Sequence, residues 1–384
     1  MLPLDGVKVA EISHYMAGPA AARDLYELGA DVVKLEAPGG EHTRHAAPFT
    51  AKGISYYYAT FNFGKKCVEA DLRTEAGQAI LKKLIGWADI IVTNYSLGVP
   101  EKLGFGWEQV KVLNPRAVML QISGFGSWSK YRDAPAYDTT IQAMSGIIAM
   151  TAKEGQDPAP NTVAFGDLIT SQQAVNAALA GLYQRERTGE GCYVEVSMMR
   201  SLTRLLGAPI AMTAAGAPVS SGGQRFVHFP KTKDGFLVLL PIAPHQWKGL
   251  CDVLGRPEWA GPEATAGNPP RYVSDAELRD EIRRGLSEWA AARTSVEAYR
   301  ILLDAGVPCG PVLSIAELIE FGEEAGLDLF DTVELDGEES ITVARATPQW
   351  NGGGEVADRR VHPVGADTLA VLDEIDTMMT EAQA

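Results

Sequence analysis

Cysteine is scarce in this chain and never clustered: Cys67, Cys192, Cys251 and Cys309 lie far apart, with no Cys-x-x-Cys spacing and no histidine beside them. The pattern gives no sign of a disulfide framework or a zinc site and predicts reduced, mostly buried thiols. Long apolar runs are missing too. No uncharged apolar stretch reaches the roughly 18 residues that a membrane span requires. The first residues, Met1-Leu2-Pro3-Leu4-Asp5, have neither the basic nor the apolar region of a secretory signal, so the cytoplasm is the expected compartment. Positive charge is in deficit: the formal net charge is -15. At long range that repels nucleic-acid phosphates and anionic lipid, and neither is an expected partner. Between Ile301 and Ala344 there is no Lys or Arg, while Glu317, Glu320, Glu323, Glu324, Asp328 and Asp331 crowd together. That run reads as a solvated acidic surface.

Several catalytic signatures are also missing. The nearest approach to a phosphate loop, Gly64-Lys65-Lys66, lacks its glycine spacing and its hydroxyl, so ATP-driven ligation is not expected. The first strand–helix–strand unit imitates a dinucleotide fold, with Glu36 where a ribose contact would fall, but Gly18 is followed by Pro19 and not by the G-x-G-x-x-G pattern. Neither a G-x-S-x-G elbow nor an H-E-x-x-H helix occurs, which removes serine-hydrolase and zinc-protease readings.

What is present is a long chain of alternating elements. Its 384 residues, 46% hydrophobic, suffice for two domains. Val7 to Ile12 reads as a strand, and Gly18-Pro19 opens an Ala-rich helix with proline at a first helical position. Asp31 to Leu35 is the next strand. Thr74 caps a helix running to Trp87, Ile90 to Val92 is a strand, Trp107 to Leu113 a helix and Val118 to Ile122 a strand. Asp167 to Arg187 is a long helix, and Tyr193 to Val196 a strand before another helix from Met199. Alternation of this kind predicts a parallel sheet. Its ligand crevice then lies at the strand carboxyl ends, at His14 to Gly18, Glu36, Asn94 to Gly98 and Gly124 to Gly126. Ser220-Ser221-Gly222-Gly223 is flexible by composition and Lys233-Asp234-Gly235 reads as a turn, so a smaller domain is expected over 216–334, with 1–215 and 335–384 forming the larger one.

Phe165-Gly166-Asp167 leads into the long helix. A carboxylate there meets outward-pointing backbone N–H groups and is expected to stay ionised at neutral pH. It is either an ordinary helix cap or a nucleophile able to attack a carbonyl. Position alone does not choose.

The motifs together do. Leu4-Asp5-Gly6-Val7-Lys8-Val9, Ala17-Gly18-Pro19, Leu28 to Glu36, Pro38-Gly39-Gly40 with Arg44, Ala70-Asp71-Leu72-Arg73-Thr74, Asn94-Tyr95, Lys102-Leu103-Gly104, Ala136-Tyr137-Asp138 and Thr188-Gly189-Glu190-Gly191 span most of the chain. Lys231 to Gly235, Gln246-Trp247 and Gly306 to Val312 extend the pattern. The sequence resembles the class III CoA-transferases, the family of formyl-CoA transferase and carnitine CoA-transferase, which also includes α-methylacyl-CoA racemase.

That resemblance implies an α/β fold: a large domain with a parallel sheet and Rossmann-like units, a smaller α+β domain, and an interlocked homodimer. It places the catalytic aspartate at Asp167, which takes CoA from an acyl-CoA donor to a carboxylate acceptor through anhydride and aspartyl-CoA thioester intermediates. Coenzyme A enters as substrate, with no prosthetic group and no metal. Met16, Ala17, Asp71, Leu72, Arg73, Asn94, Tyr95, Ser96, Lys102 and Tyr137 fall near CoA, and Gly222 and Gly223 match a mobile glycine loop. Two departures are visible. Ser96-Leu97-Gly98 replaces an Arg-Pro pair often found before that glycine, and Gly365-Ala366-Asp367-Thr368 drifts from the last family motif. The rival within the fold is racemisation, which requires a base on each side of the α-carbon. Tyr137 occupies the place of that branch's histidine, and a tyrosine with its ordinary pKa of about 10 is a poor base at neutral pH. Transfer is favoured. A non-catalytic acyl-CoA binding protein is the alternative from another class.

Overall fold

The computed structural model describes residues 1–152, 155–217, 228–269, 276–335, 339–346, 348–350 and 354–381. In chain order the elements are β1 (Lys8–Ile12), α1 (Ala17–Glu27), β2 (Asp31–Glu36), α2 (Tyr56–Asn62), β3 (Lys66–Glu69), α3 (Glu75–Trp87), β4 (Ile90–Thr93), α4 (Val99–Leu103), α5 (Trp107–Leu113), β5 (Val118–Ser123), α6 (Asp138–Ser145), α7 (Ile147–Thr151), α8 (Phe165–Thr188), β6 (Cys192–Ser197), α9 (Met198–Leu205) and α10 (Gly207–Ala214). There follow β7 (Leu237–Leu239), α11 (Pro244–Val253), α12 (Ala276–Ala291), α13 (Ser295–Asp304), β8 (Cys309–Pro311), α14 (Ile315–Glu324), β9 (Phe330–Glu334), β10 (Ser340–Ala344) and α15 (Thr368–Glu381).

The chain divides into two compact units, Met1–Ile210 with Phe330–Ala384, and Ala211–Leu329. In the first, six strands form a parallel sheet in the order β3-β2-β1-β4-β5-β6. Successive side chains of a strand point to opposite faces, so each strand feeds two cores. Val9, Val32, Ile90, Val92, Val118 and Leu120 pack on the face covered by α1 and α8, with Ala21, Leu25, Ala174 and Ala178 from those helices. Ala10, Ile12, Val33, Leu35, Ile91 and Met119 face α3, α5 and α15, through Leu81, Leu84, Val110 and Ile375. The second unit gathers α11, α12 and α13 with the antiparallel β7–β8 pair around Trp247, Leu250, Ile282, Leu286 and Leu302. No helix among the described residues is long and apolar enough to cross a membrane.

Charge enters the first core at Glu11 and Lys34. Glu11 of β1 is paired in register with Lys34 of β2, and both side chains are fully buried. The Glu11 carboxylate accepts from Lys34 Nζ and from Lys65 Nζ, each at 2.6 Å, and from Ser13 Oγ at 2.7 Å. The ammonium groups reach further: Lys34 donates to the Ser13 carbonyl at 3.2 Å and Lys65 to that of Pro19 at 2.8 Å. A single buried carboxylate thus ties down both ends of the β1–α1 turn.

Local signals acted largely as expected, with differences at helix starts. Thr74 caps α3 by accepting from Gly77 N at 3.0 Å. Helix α1 opens at Ala17, which puts Pro19 at its third residue, and α8 opens at Phe165 behind Ala164. The divergent C-terminal motif closes the sheet edge. Asp367 Oδ2 accepts from Cys67 N at 2.7 Å and Thr368 Oγ1 from Glu69 N at 3.1 Å, so both supply partners that β3 lacks on its outer side. Asp367→Ala leaves the buried Cys67 N–H unpaired and is expected to cost about 1–3 kcal/mol, read as a lower urea midpoint with unchanged slope.

Candidate active site

In a parallel sheet of this order the chain turns in opposite directions after β1 and β4, and the crevice between the two turns is the natural ligand site. Here it is a cavity of about 410 Å³, lined by His14, Tyr15 and Ala17 from the first turn, Asn94, Tyr95, Ser96 and Leu97 from the second, Ser123 and Gly124 at the end of β5, and Arg132 to Thr139 with Tyr57, Asp167 and Met198. Asn94 sets the distance between the turns: its Oδ1 accepts from His14 N at 3.0 Å and its Nδ2 donates to His14 O at 2.6 Å. A Cβ on Gly18 would sit 2.5 Å from the Ser13 side chain and 3.2 Å from Asn94 Cγ, so only glycine fits this crossing.

Asp167 reaches the cavity from the first turn of α8 and does not cap that helix. The capping work is done by Asp138, the first residue of α6, whose Oδ1 accepts from Gly166 N at 2.6 Å and Asp167 N at 3.2 Å. Asp138 is itself held by Gln142 Nε2 at 2.6 Å, and Asn161 Nδ2 donates to Gln142 Oε1 at 2.9 Å. A Cβ on Gly166 would lie 2.7 Å from Asp138 Oδ1, which explains the glycine before the carboxylate. Since Asp138 has taken these amides, the helix terminus gives Asp167 little help as an anion. Burial, and then the Asp138 charge, raise its pKa to about 7. The expectation of a fully ionised carboxylate at neutral pH is therefore corrected: Asp167 titrates near neutrality.

The walls are aromatic. Burial first, then the Asp167 charge, push the Tyr57 phenol well above its ordinary range, so it remains a hydrogen-bond donor beside Asp167. Burial lowers His14 to about 4, leaving a neutral ring packed edge-on against Tyr95 at 4.8 Å. Arg132 is half-exposed, with its Nε 3.6 Å from Asp133 Oδ1.

Of the residues singled out in the sequence, the structure brings Ala17, Asn94, Tyr95, Ser96, Tyr137 and Asp167 into this cavity. Met16, at the start of α1, does not line it, and neither do Asp71, Leu72, Arg73 or Lys102. The last four form a separate group. Gln78 Nε2 donates to Leu72 O at 2.6 Å and to Leu103 O at 2.9 Å, joining the 71–73 turn to the end of α4, where Arg73 and Lys102 are exposed. Arg73 Nε lies 2.8 Å from Asp71 Oδ1. Glu36 does not face the cavity; Arg44 holds it at 2.9 and 2.6 Å. Gly222 and Gly223 lie outside the described residues.

The profile of CoA-transferase family III matches residues 4–368. The chain belongs to CoA-transferase family III. It is 34% identical to a formyl-CoA:oxalate CoA-transferase of Streptomyces avermitilis, over 83% of this chain and 82% of that one. It is 31% identical to a succinate–glutarate CoA-transferase of Agrobacterium fabrum, over 98% and 96%. Among solved structures it is similar to a CaiB/BaiF family protein from Brucella suis, with a TM-score of 0.84 and 28% identity over 97% and 99% of the two chains.

Some site residues escaped the sequence reading. Asp138 stood in a quoted motif without a role, because its partners lie 28 and 29 positions away. Tyr57 is the middle of Tyr56-Tyr57-Tyr58 on α2, where successive side chains point about 100° apart. Tyr58 stacks under Arg44 at 3.9 Å, Tyr56 is exposed, and Tyr57 takes the cavity. Tyr15 fell within the expected crevice segment His14 to Gly18 without a role of its own, and Arg132 carried no motif signal.

Proposed function

We propose that this enzyme moves coenzyme A from an acyl-CoA thioester to a carboxylic acid, with Asp167 as the covalent nucleophile. Four displacements complete the cycle. The Asp167 carboxylate attacks the thioester carbonyl, the C–S bond breaks, and CoA leaves as thiolate from a mixed anhydride. The thiolate attacks the aspartyl carbonyl and expels the donor's carboxylate, leaving an aspartyl-CoA thioester. The acceptor carboxylate then attacks this thioester, and the released thiolate attacks the acceptor's carbonyl in the new anhydride, restoring Asp167. No net proton or phosphate is consumed.

The observation that carries this reading is the placement of Asp167: a carboxylate freed from capping by Asp138, in the wall of the cavity at the switch point of the sheet. The Tyr57 phenol, held protonated, would donate to the oxyanion formed at either carbonyl. Ala17, Asn94, Tyr95, Ser96 and Tyr137 would flank the pantetheine end of CoA, with Met16 at the opening of α1, and the Arg73–Lys102 group joined by Gln78 is offered to its phosphates. Resemblance to the family supports one further part of the proposal, an interlocked homodimer.

The reaction requires ionised Asp167, so kcat/KM for an acyl-CoA donor is expected to rise about tenfold per pH unit up to about 7 and level off above it. Asp138→Asn keeps an oxygen for the Gly166 and Asp167 amides but removes the charge, and should move this limb to lower pH. A limb that stays in place would show that Asp138 does not set the Asp167 proton affinity.

A further inference from the structure

Tyr15 lines the cavity with φ of +62°, a left-handed conformation that bulky side chains rarely adopt. The neighbouring backbone is gripped throughout. Lys34 holds the Ser13 carbonyl, Asn94 holds both the N–H and the carbonyl of His14, and Glu41 Oε2 accepts from Tyr15 N at 3.2 Å. Glu41 is fixed in turn by Thr43, whose N–H and hydroxyl both donate to it. Tyr15 remains 39% exposed, with three aromatic rings around its own. It stacks on His42 at 5.5 Å and 16°, and meets His14 edge-on at 4.9 Å and Tyr137 at 6.2 Å. Strain sustained by this many independent contacts marks a side chain whose position matters to the cavity.

We infer that the Tyr15 ring selects the acyl group, closing the cavity against long acyl chains and confining the site to short ones. This rests on the reading of the cavity as an acyl-CoA site. The ring lines the same cavity as Asp167 and meets the ring of Tyr137, whose neighbour Asp138 accepts from Asp167 N, which places Tyr15 beside the carbonyl-bearing end of the substrate. Glycine at this position keeps the left-handed backbone without cost and removes the ring alone.

The test is acyl-CoA binding by titration calorimetry in proteins that carry Asp167→Asn, so that no covalent step intervenes. Free CoA, acetyl-CoA, butyryl-CoA and hexanoyl-CoA are compared in the Asp167→Asn protein and after adding Tyr15→Gly or Tyr15→Phe. Tyr15→Gly is expected to improve the Kd ratio of hexanoyl-CoA to acetyl-CoA by roughly tenfold or more, the scale on which apolar pockets discriminate chain length, while Tyr15→Phe keeps the parent ratio. An unchanged ratio in Tyr15→Gly, or the same change in Tyr15→Phe, would overturn the inference and leave the proposed reaction standing. If neither CoA nor any acyl-CoA binds the Asp167→Asn protein, the proposed function fails and the inference with it.

Discussion

Asp167→Ala is expected to lower acyl exchange by at least about 10⁴-fold while leaving CoA binding within a few-fold of wild type, because the substitution removes the nucleophile and not the CoA contacts. The protein should remain folded. Asp167 makes no cap, its burial opposes its charge, and its pKa is raised to about 7 from the ordinary 3.8. A carboxyl whose pKa rises on folding adds most to stability below about pH 4, and that contribution fades as pH climbs to about 7. Asp167→Asn should therefore gain melting temperature relative to wild type at pH 8 and show no such gain at pH 4. A loss of exchange accompanied by lower stability at pH 8 would point to misfolding.

A second large effect is expected away from the chemistry. Glu11→Ala leaves Lys34 and Lys65 fully buried around an empty place, and breaking such a cluster costs about 3–5 kcal/mol. That is a large part of the 5–15 kcal/mol typical of a folded chain. Burial opposes the Glu11 charge, but the attraction of Lys34 and then Lys65 more than offsets it and holds the carboxyl near 2. Its stabilisation is thus present above the unfolded pKa of about 4.5 and lost as pH falls toward 2. The two lysines differ. Burial opposes both charges: at Lys34 the attraction of Glu11, Glu41 and Glu36 outweighs it and the pKa is raised, whereas at Lys65 burial, helped by repulsion from Lys34, outweighs Glu11 and lowers it to about 8. Replacing all three residues together by apolar ones should restore much of the stability, since a buried ion cluster contributes little net. Activity should stay low in that variant, because the Ser13 and Pro19 carbonyls lose the donors that fix the turn carrying His14 and Tyr15. Equal recovery of melting temperature and exchange would show that the cluster does not position the site.

These two predictions mark where sequence was informative and where it was silent. The central strands were legible because parallel strands buried on both faces are short apolar runs, as in Ile90–Thr93 and Val118–Ser123. Strand β3 was not: Lys66–Glu69 has two apolar residues between charges, and it becomes a strand by pairing with β2 and receiving Asp367 and Thr368 on its other edge. Nothing in the sequence ties Lys34 to Glu11, 23 positions earlier; the register of β1 and β2 brings them together. The carboxylate at the start of α8 was legible from its position and from the family pattern. Its proton affinity was not, since Asp138 reaches it through the fold from another helix. Tyr15 is the extreme case, because nothing in its neighbours announces a left-handed tyrosine; the conformation follows from Glu41, Asn94 and Lys34, which lie 26, 79 and 19 positions further along the chain.

The most direct test of the central claim is intact-protein mass spectrometry after incubation with a panel of acyl-CoAs, followed by hydroxylamine and peptide mapping. The proposed reaction predicts a CoA adduct that hydroxylamine converts to a hydroxamate at Asp167, absent from Asp167→Ala. Turnover without an adduct, or with deuterium entering the α-carbon of a 2-methylacyl-CoA, would contradict it.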